Sequence, residues 1–331
     1  NLLIASGEYP DMIEYHWRGY PGGPGQAISD GVIVSLNDIM KECTPNFKTL
    51  LDSNETYDTQ SKTDEGDYYG FPAVNVDEYR RFGGLMLRKD WLDDLGLEPP
   101  ETIEEWETVL RAFKEKKGAG APFTATANML DASNESINLF NTAYDIGKGF
   151  YMDGKTVKHI ALVPEYKNYL QRMNQWMAEG LIDADFDTNN AQAIDAKMTM
   201  GEAGARFGYV GSTIGTYMNT MASKDPSFDL VAVPYPVMKK GDTPKFGEVQ
   251  AEVSSPMIAI TTACKNVEKA AKWADYLYSD KGKYLKNFGV EGKTYNMVDG
   301  KPVYTDEILH NPEGLSISEA MAMNFRANEP A

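Results

Sequence analysis

The spacing of apolar positions changes several times along the chain, and each change marks an element. Near the N-terminus, short apolar runs at 12–15, 32–35 and 69–76 stand between Gly, Pro and Asp punctuation, which predicts strands separated by turns. The segment from Trp17 to Gly25 is dense in Gly and Pro and predicts an irregular loop, because Pro removes backbone donors and Gly favours turns. Trp17 is a large aromatic at a place where packing does not obviously need one. Residues 84–87 read as a further strand and 88–97 as a short helix that stops near Gly96.

The period then becomes helical. Thr102 with Glu105 three positions on forms a capping box, Trp106, Val109, Leu110 and Phe113 make one apolar stripe, and Gly118 ends the helix. A second long helix runs from Pro164 in its first turn to Gly180, with Tyr166, Tyr169, Leu170, Met173, Trp176 and Met177 at helical spacing. Residues 229–237 and 256–261 read as strands. Asn266 caps a helix expected to bury Ala270, Trp273, Ala274 and Leu277. Beyond 287 the chain is turn-rich and aromatic. Strands interspersed with helices over 331 residues predict an α/β protein of two units, each able to bury its own core.

Charge narrows the partners. Lys and Arg number 32 against 49 Asp and Glu, a net charge of −17, which repels phosphate backbones. Basic clusters are as short as Arg80-Arg81 and 114–117, so no nucleic-acid partner is expected. No apolar run reaches the roughly 18 residues that span a bilayer.

Motifs for cofactor chemistry fail on inspection. Gly292-Lys293-Thr294 mimics the end of a phosphate-binding loop, but Asn287 stands where its first glycine belongs. Asp183, Asp185, Asp187 and Asn189 alternate as in a calcium loop, yet Thr188 replaces the required Gly and Ile194 the chelating Glu, so a solvated turn is expected. Cys43 and Cys264 form no C-x-x-C, and His16, His159 and His310 fall in no metal or triad motif. No cofactor and no metal are expected. A pair of carboxylates flanking a glycosidic bond needs no sequence signature, so a secreted carbohydrate-active hydrolase is the alternative to a binding protein.

What stands out is aromatic residues beside polar ones in loops: Trp17 with Arg18, Tyr79 with Arg81, Tyr209 with Ser212, and Glu291 with Tyr295. Flat rings stack on the apolar faces of sugars while charged and hydroxyl groups bond their rims. These eight residues are the candidate ligand contacts.

Several segments together resemble a known family. Ala5-Ser6-Gly7-Glu8-Tyr9-Pro10-Asp11, Gly70-Phe71-Pro72, Met86-Leu87-Arg88-Lys89-Asp90-Trp91-Leu92, Gly180-Leu181-Ile182-Asp183, Asn266-Val267-Glu268-Lys269-Ala270-Ala271 and Asn287-Phe288-Gly289-Val290-Glu291-Gly292-Lys293-Thr294-Tyr295 are similar to those of bacterial extracellular solute-binding proteins, family 1, of ABC importers, and most of all to their LplA-like lipoprotein branch. The resemblance implies a two-lobed, periplasmic-binding-protein-like type II fold with a hinge and an interlobe cleft. It places lobe one at 1–84 plus 255–290, lobe two at 85–253, and a C-terminal segment, 291–331, across the hinge.

It further implies a non-enzymatic, monomeric protein that captures a carbohydrate, in particular an oligosaccharide, and delivers it to the ABC permease membrane subunits. The same fold with a peptide or acidic saccharide ligand is a variant of that reading. The expected location is the extracellular face of the membrane, with a lipid anchor on an N-terminal Cys that this sequence does not contain. Family members also carry a strand and helix ahead of the residues matching Ala5-Ser6-Gly7, and more residues at the C-terminus. Tyr209 and its small neighbours stand where maltose-type binders have Trp, which leaves the sugar's identity open.

Overall fold

The computed structural model describes residues 2–75, 80–81, 83–134, 137–315 and 317–325. Its chain divides into two compact units, Asn1–Arg80 with Gln250–Ala331, and Arg81–Val249. The segment from 291 onward therefore belongs to the first unit. Strands are numbered along the chain: β1 Met12–Tyr15, β2 Phe71–Val74, β3 Gly83–Arg88, β4 Ala121–Phe123, β5 Phe150–Asp153, β6 Thr156–His159, β7 Ala203–Tyr209, β8 Leu230–Ala232, β9 Val253–Ile260, β10 Tyr295–Val298 and β11 Lys301–Tyr304.

In the first unit β9 is the central strand, with β1 and β2 antiparallel on either side, in register Ile13 to Ala259 and Phe71 to Ile258. Helices Asn37–Cys43, Pro45–Asp52 and Val267–Tyr276 bury Phe47, Leu51, Ala271 and Ala274 against Phe71 and Ile260. Asp275, buried on the last of these, accepts hydrogen bonds from Phe47 N at 2.8 Å and Asn46 Nδ2 at 2.6 Å. Those donors lie in the first turn of Pro45–Asp52, where a carboxylate satisfies N–H groups the helix leaves over. A second cluster gathers Ile13, Trp17, Ile33, Tyr69, Met257 and Ala259.

Three sequence expectations change here. The stretch at 17–25 is not an irregular loop: a short 3-10 turn, Trp17–Gly19, precedes a helix, Gly23–Ser29. Gly22 takes the left-handed conformation, φ 82°, that turns the chain into the helix, and proline in the first turn forfeits no internal bond. Residues 32–35 form one bridge, Ile33 to Thr261, rather than a strand. The strand expected over 229–237 shrinks to β8, since Pro234 and Pro236 supply no ladder donors.

Two aromatic placements are also corrected. Trp17 is 1% exposed, its Nε1–H donates to the Met257 carbonyl at 3.1 Å, and Tyr15 meets it edge-on at 5.2 Å. It is a core residue of the first unit and offers no face to a ligand. Trp273, expected in the core, is 64% exposed, because Ala271, Ala274 and Asp275 are the residues that face inward.

In the second unit the strand order is β4-β7-β3-β8, with β7 parallel to β4 and antiparallel to β3. Helix Ile103–Lys117 begins with the capping box read from the sequence: Thr102 Oγ1 accepts from Glu105 N at 3.1 Å, and Glu105 Oε2 accepts from Thr102 N at 3.0 Å. Its apolar stripe packs against helix Pro164–Ala178 through Trp106, Phe140 and Trp176, with edge-on contacts at 5.2 and 4.9 Å. Cys43 and Cys264, both in the first unit, are buried free thiols.

Candidate functional site

On the second unit, Tyr209 is the last residue of β7 and is paired in register with Gly83, the first of β3. Its ring lies on that glycine: a Cβ at Gly83 would sit 2.8 Å from Tyr209 Cε1. Phe207 supports the ring edge-on at 5.5 Å, and the ring remains 42% exposed. The backbone N–H of Tyr209 donates to Thr213 Oγ1 at 3.0 Å, inside the π-helical turn Val210–Ile214 that carries exposed Ser212. Such turns are frequent at functional sites. Tyr235 brackets Gly83 further, its hydroxyl donating to the Gly83 carbonyl at 3.2 Å. Burial pushes the Tyr235 phenol well up, so it stays a neutral donor. The geometry gives a braced aromatic face beside a small hydroxyl residue at the carboxyl end of a strand, where ligands of α/β sheets bind.

On the first unit, Glu291 and Tyr295 line a concavity of about 460 Å³ together with Tyr276, Lys281 and Tyr284. Tyr295 itself is buried, stacked on Tyr284 at 6.1 Å with the planes 13° apart, so the half-open rings of Tyr276 and Tyr284 provide the accessible aromatic surface. Arg18 is exposed, but its Nη2 donates to the Gln60 carbonyl at 2.9 Å, so it is tethered within its own unit. Arg81 is exposed on the second unit. Tyr79 lies outside the described residues.

The eight candidates thus separate. Tyr209 with Ser212, and Glu291 with Tyr295, are brought together in pairs. Trp17 and Arg18 are split into a core ring and a tethered guanidinium. The sequence also passed over His16, which is exposed at the end of β1 with Nδ1 3.0 Å from Ser255 Oγ. That pair joins residues 239 apart, and no local spacing reveals it.

No group of three metal-ligating side chains occurs among the described residues. In the acidic stretch at 183–189 a lysine fills the place of a cation: Lys197 Nζ lies 2.8 Å from both Asp183 oxygens and 3.0 Å from Asp185. Burial pushes the Asp183 carboxyl up, but hydrogen bonds from Lys197, Asn189 and Thr124 outweigh it and hold the group below the usual range.

The profile of the bacterial extracellular solute-binding protein family matches residues 2–284. The fructooligosaccharide ABC transporter substrate-binding protein FusA of Streptococcus pneumoniae serotype 4 is 26% identical over 309 residues, covering 88% of this chain and 55% of that protein. Lipoprotein LipO of Bacillus subtilis is 25% identical, covering 96% of this chain and 63% of its own length. Among solved structures, the alginate-binding protein AlgQ2 superposes with a TM-score of 0.78 at 28% identity, over 98% of this chain and 66% of that one. The chain therefore spans between about half and two thirds of the length of these relatives.

Proposed function

The chain belongs to the bacterial extracellular solute-binding protein family, and on that premise we propose that it is the substrate-capturing component of an ABC importer for an oligosaccharide. FusA and AlgQ2 carry saccharide ligands in their names, and both align over most of this chain. The observation on the chain itself that carries the reading is the Tyr209 ring, exposed yet fixed over Gly83. A ring held open in this way stacks on a sugar without losing conformational freedom on binding. Ser212, exposed three residues on in the π-helical turn, adds a hydroxyl, and Glu291, Tyr276 and Tyr284 offer the same chemistry on the first unit. Arg81 is a contact for a ligand hydroxyl or carboxylate.

The reading is of capture, not turnover: saccharide in, the same saccharide released to the permease subunits. We place the protein outside the cell as a monomer, held by a lipid on an N-terminal Cys, in keeping with the lipoprotein name of LipO. No helix among the described residues is long and apolar enough to cross a membrane.

A thermal-shift screen across neutral oligosaccharides, uronates and peptides tests this. A ligand at 100 times its Kd stabilises the native chain by about 2.7 kcal/mol, a readily measured rise in Tm. Gly83→Ala is expected to displace the Tyr209 ring and reduce the saccharide-induced rise, and to lower the ligand-free Tm as well, because the new Cβ also sits 3.1 Å from the buried Phe207 ring. A peptide that raises Tm where no saccharide does removes the carbohydrate assignment.

A further inference from the structure

We propose that the second unit carries another saccharide-binding site, a groove along helix Pro164–Ala178 shaped for a neutral, hydroxyl-rich ligand. It takes from the function proposed above only the ligand class, and it shares no residue with the Tyr209–Ser212 surface. The groove has a volume of about 840 Å³ and lies wholly within Arg81–Val249. That size suits a small ligand rather than a packing defect.

The helix shows why the groove is more than leftover surface. Tyr169, Met173 and Trp176 bury its apolar stripe, while Asn168, Gln171 and Gln175 line the groove from another face. The Asn168 and Gln171 amides can each donate to and accept from a hydroxyl, and Gln175, whose Nε2 donates to Glu179 at 2.8 Å, keeps its carbonyl and a second N–H. Among them Arg172 reaches the groove from a fixed position, ion-paired to the buried carboxylate of Glu107. Glu107 is in turn held by the Trp176 Nε1–H at 2.9 Å and by Arg111 at 2.6 Å. Burial pushes the Glu107 carboxyl up, yet Trp176 and Arg172 pull it below its usual range, so it stays charged and the arginine stays anchored. A guanidinium has five N–H donors, more than Glu107 and the Tyr144 hydroxyl together consume, and the remainder serve ligand oxygens. Tyr144 and Met238 line the same groove and add apolar surface.

Charge selects among polar ligands. Arg172 and Arg111 are balanced by Glu107 and Glu179, and Lys245 by Asp145 at 2.6 Å. Glu165 and Asp242 then leave the lining with excess negative charge, which repels uronates and phosphates. Amide and guanidinium donors facing apolar surface without net positive charge match a neutral sugar, which presents hydroxyls on its rim and C–H groups on its face.

The test uses amide hydrogen exchange and calorimetry on the whole chain, with kestose, raffinose and trigalacturonate as probes. In a Tyr209→Ala chain, kestose or raffinose is expected to protect amides of 164–178, and trigalacturonate is not. Adding Gln171→Trp, an exposed position whose new ring fills the groove, is expected to weaken that binding by about tenfold or more, with Tm unchanged. The double variant Gln171→Ala, Gln175→Ala is expected to weaken it as well, without blocking the space. The proposal is overturned if neither neutral saccharide protects 164–178, if Gln171→Trp leaves the isotherm unaltered, or if trigalacturonate binds as well. Protection confined to 203–214 and abolished by Tyr209→Ala would overturn this site and leave the function above standing. Protection of 164–178 alone in the wild-type chain, indifferent to Tyr209→Ala, would leave this site standing and remove the Tyr209 surface from the function above.

Discussion

Trp17→Ala is expected to destabilise the protein by about 3–5 kcal/mol, the usual cost of emptying the site of a buried tryptophan. The indole is among the largest fully buried side chains, and its removal also leaves the Met257 carbonyl without its 3.1 Å donor. Urea denaturation reads the effect as a lower midpoint. Trp273→Ala is the control: the same residue type, 64% exposed, should shift stability by no more than about 0.5 kcal/mol. A wild-type midpoint for Trp17→Ala would return that ring to the surface and restore it as a ligand contact.

Lys197→Met is the second large effect. Asp183 is 2% exposed, and both of its oxygens face the Lys197 ammonium. Methionine preserves most of the stem's volume but leaves the carboxylate without its charge partner, held only by Thr124, Asn189 and the Asp185 N–H, which should cost about 3 kcal/mol, the lower end for a broken buried pair. Adding Asp183→Asn should recover part of that loss by removing the stranded charge. The pH dependence has a fixed sign. Asp183 and Glu107 have folded pKa values held below their unfolded ones, 3.8 and 4.5, so each stabilises the fold fully above that range. The contribution is lost as pH falls through the lower folded values. Wild-type stability should therefore decline on acidification below about pH 4.5, and Lys197→Met should decline less steeply, since its Asp183 has less to lose. Equal slopes for the two proteins would show that the ion pair does not set the acid limb.

What the sequence disclosed and what it hid divide along one physical line. The capping box at Thr102 and Glu105, the stop at Gly118, and the start at Pro164 all appear as read, because each depends on residues within a turn of one another. Strands β1 and β3 were legible from apolar runs bounded by punctuation. The fate of Trp17 was not, since its partner is a carbonyl 240 residues away and its neighbours in sequence look like a loop. The helix Gly23–Ser29 was missed because glycine and proline, which break helices internally, here sit at its first turn. Trp273 was misplaced by one helical face, since alanines and a carboxylate form the buried stripe.

The same line runs through the candidate site. Tyr209 and Ser212 are proposed together from the sequence because they are an aromatic and a hydroxyl residue three positions apart. What fixes the Tyr209 ring, the missing Cβ of Gly83 on the neighbouring strand, is a pairing no local pattern reports. His16 with Ser255, and Arg172 with Glu107, escaped for the same reason.

The central claim is that a saccharide stacks on Tyr209. Calorimetric titration of wild type and Tyr209→Ala with the best saccharide from the thermal screen measures it directly. Loss of stacking and apolar burial predicts a weakening of about 1–3 kcal/mol, with the ligand-free Tm of the two proteins alike. Superimposable isotherms would contradict the account.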